Sequence, residues 1–279
     1  MSSVLRFSQV DVFASKRHMG NPVAVVHEAD ALTTEEMARF ARWTNLSETT
    51  FLLLPSTPEA DYRLRIFTPG GELPFAGHPT LGSCHAWLEA GGTAGQADQI
   101  IQECGVGLVR ICKNAQGLSF AAPDLLRTGP LESELVADLM LALGLPADAL
   151  IDHQWVDNGP GWCALLLDSA KRVLDVRPDF LALGTSCLGL VGPYPSGSDS
   201  DFEVRAFVPD MGVPEDPVTG SLNASIAQWL IGSGRAPASY VASQGCVLGR
   251  AGRIVISSTH DDVWVGGATN TSIRGEVVF

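Results

Sequence analysis

Hydrophobic and polar positions alternate with a period of about two in the first third of the chain, which predicts strands separated by turns. Such strands are expected at residues 4–13, 22–26, 48–55 and 62–69. Between the second and third, residues 32–46 repeat their apolar positions at helical spacing. Threonines precede that stretch and two glutamates open it, as is typical of a capped amphipathic helix.

Two further helices are predicted where apolar runs follow turn residues. The stretch ELPFAGHPTLGSCHAWL passes from a loop through a Gly-His-Pro turn into a helix that extends to about Glu89. The periodic signal pauses at residues 123–130 and a new helix follows. We therefore predict two domains, residues 1–124 and 125–279. The last strand of the chain belongs either to the second domain or to the sheet of the first.

The second half of the chain repeats motifs of the first. RIFTP at Arg65 has a counterpart 140 positions later, RAFVP at Arg205. Each motif leads through a proline-containing loop to a Gly-polar pair, a helical run and a Gly-rich strand pair. The order of these four features favours a real duplication over chance resemblance.

Composition and charge exclude several classes of function. The net charge of −13 and the absence of basic runs argue against nucleic acid and anionic membranes as partners. No stretch approaches the ~20 apolar residues that a membrane span needs. The N-terminus lacks a signal peptide, and the six cysteines are scattered without a CxxC pair, so we expect a cytoplasmic protein with reduced thiols.

The paired Gly-polar turns indicate a site for an anion. A helix start offers backbone N–H groups without internal partners, and glycine lets a ligand approach them. If the two halves share a fold, the turns at Gly77 and at Gly220-Ser221 should face one cleft and hold a small carboxylate. A simple tight turn is the alternative explanation for either glycine alone.

Three ionisable residues near these turns are candidates for proton transfer, each with a structural alternative. His78 lies in the first turn and can move a proton, although a lone histidine is often structural. Asp216 precedes the second turn and could either cap the helix or handle a proton. Glu48 could be a solvated acid, or a desolvated one whose raised pKa suits general acid and base work.

Other common chemistries lack their motifs. HExxH and CxxC metal sites are missing, as are GxGxxG after a strand, GxxxxGK[ST] and the GxSxG elbow. We therefore expect no metal and no nucleotide cofactor.

Five blocks together resemble the phenazine biosynthesis PhzF-like family, which is related in fold to diaminopimelate epimerase. They are DVFASKRHMGNPVAVV, NLSETTFLLLP, RIFTPGGELPFAGHPTLG, EDPVTGSLNASIAQWL and SQGCVLGRAGRI, in the expected order along nearly the whole chain. The resemblance implies an α+β fold of two similar domains, each a curved, mainly antiparallel, barrel-like sheet around a central helix. It also implies an active site between the domains, a homodimer and no cofactor.

The same resemblance implies roles for the candidate residues. Glu48 would be the acid/base that moves a proton between carbons of a small amino or hydroxy carboxylic acid, with His78 and Asp216 assisting. Gly77, Gly220 and Ser221 would bind the substrate carboxylate.

One departure separates the chain from its epimerase relatives, which use a cysteine at each helix start. Here those turns are FAGHPT and PVTGS, and Cys84 lies about two helical turns, roughly 10 Å, further along. Single-base isomerisation by Glu48 is therefore preferred. The alternatives are a two-base epimerase or racemase that uses Glu48 with Asp216 or His78, and a catalytically idle protein that binds small acids.

Overall fold

The computed structural model describes residues 3–114, 117–209, 213–259 and 262–279. Its elements begin with β1 (Val4–Val12), β2 (Asn21–Val26), α1 (Thr34–Thr44), β3 (Glu48–Leu53), β4 (Tyr62–Thr68), β5 (Gly71–Leu73), α2 (Gly77–Glu89), β6 (Gln99–Cys104), β7 (Gly107–Asn114) and β8 (Gly117–Ala121). They continue with α3 (Ser133–Ala142), β9 (Leu150–Trp155), β10 (Trp162–Leu167), α4 (Ala170–Asp175), α5 (Phe180–Leu183), β11 (Cys187–Pro193), β12 (Phe202–Phe207), β13 (Glu215–Asp216), α6 (Gly220–Gly232), β14 (Ser239–Gln244), β15 (Gly252–Ser258), β16 (Val263–Gly267) and β17 (Thr269–Val278).

The chain divides into two compact units. The first contains residues 1–121 together with the C-terminal residues 266–279, and the second contains residues 122–265. The domain boundary predicted between residues 124 and 125 stays a prediction. Within the described residues, none of the helices combines the length and the apolar character needed to cross a membrane.

The first unit is a mainly antiparallel sheet with two parallel pairs. Strand β1 pairs with β17 on one side and with β2 on the other, both antiparallel. Strands β2 and β3 are parallel, β3 and β4 antiparallel, and β4 then pairs with β5 (antiparallel) and β6 (parallel). Strands β6, β7 and β8 form an antiparallel meander.

The second unit uses the same order of pairings. Strand β9 is antiparallel to β10, β10 is parallel to β11, and β11 is antiparallel to β12. Strand β12 then pairs with the short antiparallel β13 and with the parallel β14, and β14 is antiparallel to β15. This agreement confirms the predicted α+β fold of two similar domains.

Each unit has one helix that is buried by its sheet. Helix α2 contacts β1, β2, β3, β4, β8 and β17, and its first eight residues are buried. Helix α6 is buried over its first eight residues and contacts β15. Apolar side chains on all faces are typical of such an enclosed helix. Both units therefore show the predicted barrel-like sheet around a central helix.

Glycines allow the central helices to approach the strands closely. A Cβ at Gly82 of α2 would lie 2.3 Å from Val23 Cγ1 of β2, and a Cβ at Gly189 of β11 would lie 2.6 Å from Leu222 Cδ1 of α6. Such distances are far below van der Waals contact, so larger residues would force the helix and the sheet apart.

A further layer of helices packs on the outer side of each sheet. Helix α1 begins with a capping box between Thr33 and Glu36 and ends at Asn45 in the left-handed conformation, which confirms the amphipathic helix expected from the sequence. Its buried Met37 and Ala41 join a cluster with Phe51 and Phe67. In the second unit, α3, α4 and α5 contribute to the corresponding cluster against β10, β11 and β12.

The repeated RxF motifs form the same ion pair in both units. Arg65 binds Glu72 through two hydrogen bonds of 2.7 and 2.6 Å, and Arg205 binds Glu215 through two of 2.8 Å. Each pair joins a long strand, β4 or β12, to the short strand that precedes the central helix, β5 or β13. The side chains of the first pair are 24% and 40% exposed, whereas those of the second are 3% and 7% exposed. Glu215 therefore pairs with Arg205 instead of capping α6.

The two ion pairs provide a matched test of burial. We expect Glu215→Gln to lower the free energy of unfolding by about 3 kcal/mol, because it leaves a buried guanidinium without its counter-charge. We expect Glu72→Gln to lower it by no more than about 1 kcal/mol, because water solvates the remaining arginine. Denaturant titration of both variants measures the difference, and equal losses would contradict the role given to burial.

Candidate functional site

In the first unit, the structure brings two of the predicted residues into contact. Glu48 is the first residue of β3, and His78 is the second residue of α2. Glu48 Oε2 lies 3.2 Å from His78 Nε2, and the two side chains are 14% and 3% exposed. A carboxylate and an imidazole, largely shielded from water, therefore meet at the start of the central helix.

Strand pairing explains why these side chains meet. In the parallel pair of β2 and β3, Val23 lies opposite Glu48, so the two strands begin side by side. Asn21, the first residue of β2, places its Nδ2 3.3 Å from His78 Nδ1. The imidazole thus lies between Asn21 and Glu48. The sequence pattern gives Asn21 no role, because GNP is typical of a turn, although the motif lies within the DVFASKRHMGNPVAVV block.

Burial controls the charge of His78. It lowers the pKa of His78 to about 3, while a hydrogen bond with the backbone of Pro22 acts in the opposite direction. The imidazole is therefore neutral at physiological pH. The 3.2 Å between His78 Nε2 and Glu48 Oε2 is a close contact rather than an aligned hydrogen bond. It places a neutral ring nitrogen next to a carboxyl oxygen in a largely buried setting.

In the second unit, Asp216 belongs to a network of hydrogen bonds before α6. Its Oδ2 accepts a hydrogen bond of 2.6 Å from the Thr219 hydroxyl, whose oxygen in turn accepts one of 2.9 Å from Gln244 Nε2. Gln244 Oε1 accepts from the Thr219 backbone N–H and from Asn223 Nδ2. Gln244, Thr219 and Asn223 were not among the predicted residues, although Gln244 lies in the SQG block. This network fixes the segment that connects Asp216, at the end of β13, to the start of α6.

Ser221 is the second residue of α6 and is 6% exposed. Its hydroxyl oxygen accepts a hydrogen bond of 3.2 Å from the indole Nε1 of Trp162, the first residue of β10. Its backbone carbonyl accepts one of 2.9 Å from Asn158 Nδ2. The sequence carries no motif that connects residues 158–162 with this helix, and both partners were missed.

Both central helices start without a side-chain cap. Ala76 before α2 and Thr219 before α6 make no side-chain cap hydrogen bond. Gly77 and Gly220 are the first helical residues, and neither has a positive φ. A left-handed turn therefore does not explain the glycines. First-turn N–H groups and the positive end of the helix dipole are suited to an anion.

Two further residues of α2, Cys84 and His85, lie away from the start of the helix. Burial raises the pKa of Cys84 to about 12, so this residue is a neutral thiol within α2. His85 lies between the hydroxyls of Thr269 and Thr271, at 2.9 and 3.0 Å, and so connects α2 to β17. Throughout the described part of the chain, no three His, Cys, Asp or Glu residues form a group that could hold a metal ion.

Comparisons with known proteins agree with this architecture. A protein of Schizosaccharomyces pombe named "Antisense-enhancing sequence 1" is 39% identical, with 97% of both chains covered. The trans-2,3-dihydro-3-hydroxyanthranilate isomerase of Pseudomonas aeruginosa is 36% identical over 80% of this chain and 78% of that one. The crystal structure of a PhzF-family phenazine biosynthesis protein from Enterococcus faecalis has a TM-score of 0.79 and 26% identity, with 99% of each chain covered.

A buried central helix inside a curved sheet, repeated in two units, defines the diaminopimelate epimerase-like fold, and the similarity to named isomerases places the chain among the isomerases. The family model for "Phenazine biosynthesis-like protein" matches residues 10–279. The chain belongs to this family. The resemblance stated from the sequence is confirmed, whereas the roles of individual site residues stay predictions.

The neutral state of His78 should appear in the pH dependence of stability. Between pH 6.5 and about 3 the unfolded chain protonates this histidine and the native protein does not, so stability falls as the pH is lowered through that range. We expect His78→Gln to remove this contribution, so that the stability difference from wild type changes by about 1.4 kcal/mol per pH unit within the window. Denaturant titrations of both proteins at several pH values measure it, and parallel curves would contradict a buried neutral imidazole.

Proposed function

We propose that the protein is a cofactor-independent isomerase that moves a proton between carbons of a small amino or hydroxy carboxylic acid, with Glu48 as the single acid/base. The contact between Glu48 and His78 is the observation that carries this proposal. A general acid and base must hold a proton close to the reacting atom and release it without water competing. Glu48 is mostly shielded, and the neutral ring beside it can share a proton.

The other predicted residues receive roles that fit their surroundings. His78 assists by sharing the proton of Glu48, and Asp216 assists as a carboxylate oriented by Thr219. The helix starts at Gly77 and Gly220, with the hydroxyl of Ser221, bind the substrate carboxylate. Their uncapped first turns and the electrostatics of helix N-termini support this assignment.

A relative supplies the first substrate to test. The Pseudomonas aeruginosa protein is named for trans-2,3-dihydro-3-hydroxyanthranilate, a compound with one carboxylate, one amino group and one hydroxyl. It belongs to the class of acids proposed for this chain. Related amino and hydroxy carboxylic acids can be compared by thermal stabilisation, since a ligand of the native state raises the melting temperature by mass action.

The protonated state of the two cysteines supports a mechanism with one base, Glu48, over a mechanism with two thiol bases. Burial raises the pKa of Cys84 to about 12 and also raises the pKa of Cys104, so neither thiol is ionised at neutral pH. A thiol must ionise before it can remove a proton from carbon. These residues therefore make a poor pair of bases for an epimerase.

The oligomeric state, the location and the partners of the protein follow the same proposal. We propose a homodimer that acts in the cytoplasm on small anionic carboxylates, with no metal, nucleic acid or membrane as a partner. The net charge of −13 supports the exclusion of polyanions, because a negative surface repels them.

Glu48→Gln should abolish turnover and leave carboxylate binding nearly intact, because it removes the proton carrier and keeps the shape of the side chain. We expect a loss of at least about 100-fold in the rate. Candidate acids, beginning with trans-2,3-dihydro-3-hydroxyanthranilate, are incubated with enzyme in D₂O. Mass spectrometry and NMR then follow deuterium entering a C–H position and the configuration of the product.

Glu28→Gln is the matched control, because Glu28 is exposed and pairs with Arg6. We expect it to behave as wild type. Full exchange by Glu48→Gln would refute the single-base mechanism. Binding by wild type without any exchange would favour an idle acid-binding protein, and inversion of one centre would favour an epimerase.

Replacing Cys84 and Cys104 by Ala should leave the rate of deuterium exchange unchanged within about twofold, because no thiolate takes part. The measurement is made at a temperature where circular dichroism shows both variants folded, since Cys84 is buried and its loss leaves a small cavity. Loss of exchange in a folded variant would restore the thiol mechanism.

A further inference from the structure

The hydroxyl of Ser221 is held from one side by an indole. Trp162 Nε1 is a donor without acceptor capacity, so the hydrogen bond of 3.2 Å must use a lone pair of the Ser221 oxygen. Trp162 is 2% exposed and lies in a strand that is buried along its length. The position of the indole N–H is therefore set by packing.

This contact determines what the serine hydroxyl can still do. A hydroxyl has one proton to donate and two lone pairs with which to accept. The indole N–H of Trp162 occupies one lone pair of the Ser221 oxygen. The serine proton must therefore point away from the indole hydrogen. Among the described residues, no side chain or backbone group accepts this proton. The serine proton is thus left without an acceptor within the described part of the protein.

The backbone at the same residue is restrained as well. Asn158 donates from Nδ2 to the Ser221 carbonyl at 2.9 Å. The Ser225 hydroxyl lies 3.2 Å from that carbonyl and 3.1 Å from the Leu222 carbonyl, and its one proton is donated to either of them. Side chain and main chain of Ser221 are therefore both held by partners outside the first turn of α6.

The first unit contains the same arrangement with other residues. There the first residue of β2, Asn21, contacts the side chain of His78, the second residue of α2. In the second unit the first residue of β10, Trp162, contacts the second residue of α6. Both contacts lie at the start of the first strand of a parallel pair. A repeated contact between corresponding elements is unlike an incidental packing contact.

We infer that Trp162 is a positioning residue for substrate binding, which orients the Ser221 hydroxyl so that its proton is directed to the substrate carboxylate. The inference rests on the proposed function, since it assumes that Ser221 binds that carboxylate. An indole acts better here than a group that both donates and accepts, because it cannot accept the serine proton and so cannot compete with the ligand.

The test uses 3-hydroxyanthranilate, a stable aromatic acid with the same three substituents as the relative's substrate, as the binding probe. Isothermal titration calorimetry measures its affinity for wild type, Trp162→Phe, Ser221→Ala and the double variant. We expect Trp162→Phe to weaken binding about three- to tenfold, as for the loss of one neutral hydrogen bond. In the Ser221→Ala background the same change should have almost no further effect.

Trp155→Phe is the matched control, because Trp155 lies in the same unit and its indole donates a hydrogen bond of the same length, 3.2 Å, to Glu132. We expect it to bind the probe as wild type does. A spectroscopic readout reports the contact itself: the ¹H–¹⁵N resonance of the Trp162 indole should shift in Ser221→Ala and on addition of the probe, whereas that of Trp155 should not.

The possible results distinguish a failure of the role given to Trp162 from a failure of the proposed function. Normal binding by Trp162→Phe with weakened binding by Ser221→Ala overturns the inference and leaves the proposed function standing. An equal effect of Trp162→Phe in both backgrounds also overturns it, because the effect is then one of packing. If wild type does not bind the probe, or Ser221→Ala binds it normally, the assignment of Ser221 to the carboxylate fails and the inference fails with it.

Discussion

Burial of the central helix imposes the main constraint on both units. A helix enclosed by its own sheet must begin among buried groups, where the first backbone N–H groups cannot rely on water. Neither α2 nor α6 has a side-chain cap at this point. The first-turn N–H groups of each helix therefore need another acceptor, and the proposed carboxylate ligand would supply one.

The two units solve this constraint with one framework and different chemistry. Strand order, the parallel pairs and the bidentate Arg-Glu contact are the same in both. The second residue of the central helix differs: in one unit it is His78, beside Glu48, and in the other it is Ser221, beside Trp162. The parts that build a helix start are thus the same in both units, while the side chains at that start differ.

Burial also determines which ionisable groups can react. It keeps His78 neutral and the Cys84 thiol protonated, so that neither a His78 imidazolium nor a Cys84 thiolate is present at neutral pH. Glu48 is the first residue of β3 and keeps a small exposed fraction. The proposed single-base mechanism requires such an exposed fraction, because the carboxyl group must reach a bound ligand.

The sequence by itself determined the central helices, the capped helix α1, the repeated motifs and the family, because these depend on local periodicity, turn residues and ordered blocks. It also singled out Glu48 and His78. Their contact depends on the packing of α2 against β2 and β3, which brings together residues 30 positions apart. Tertiary structure alone decided that Glu215 binds Arg205 and that Trp162 holds Ser221, because partners 10 and 59 positions away follow from strand order and register, which local patterns do not encode.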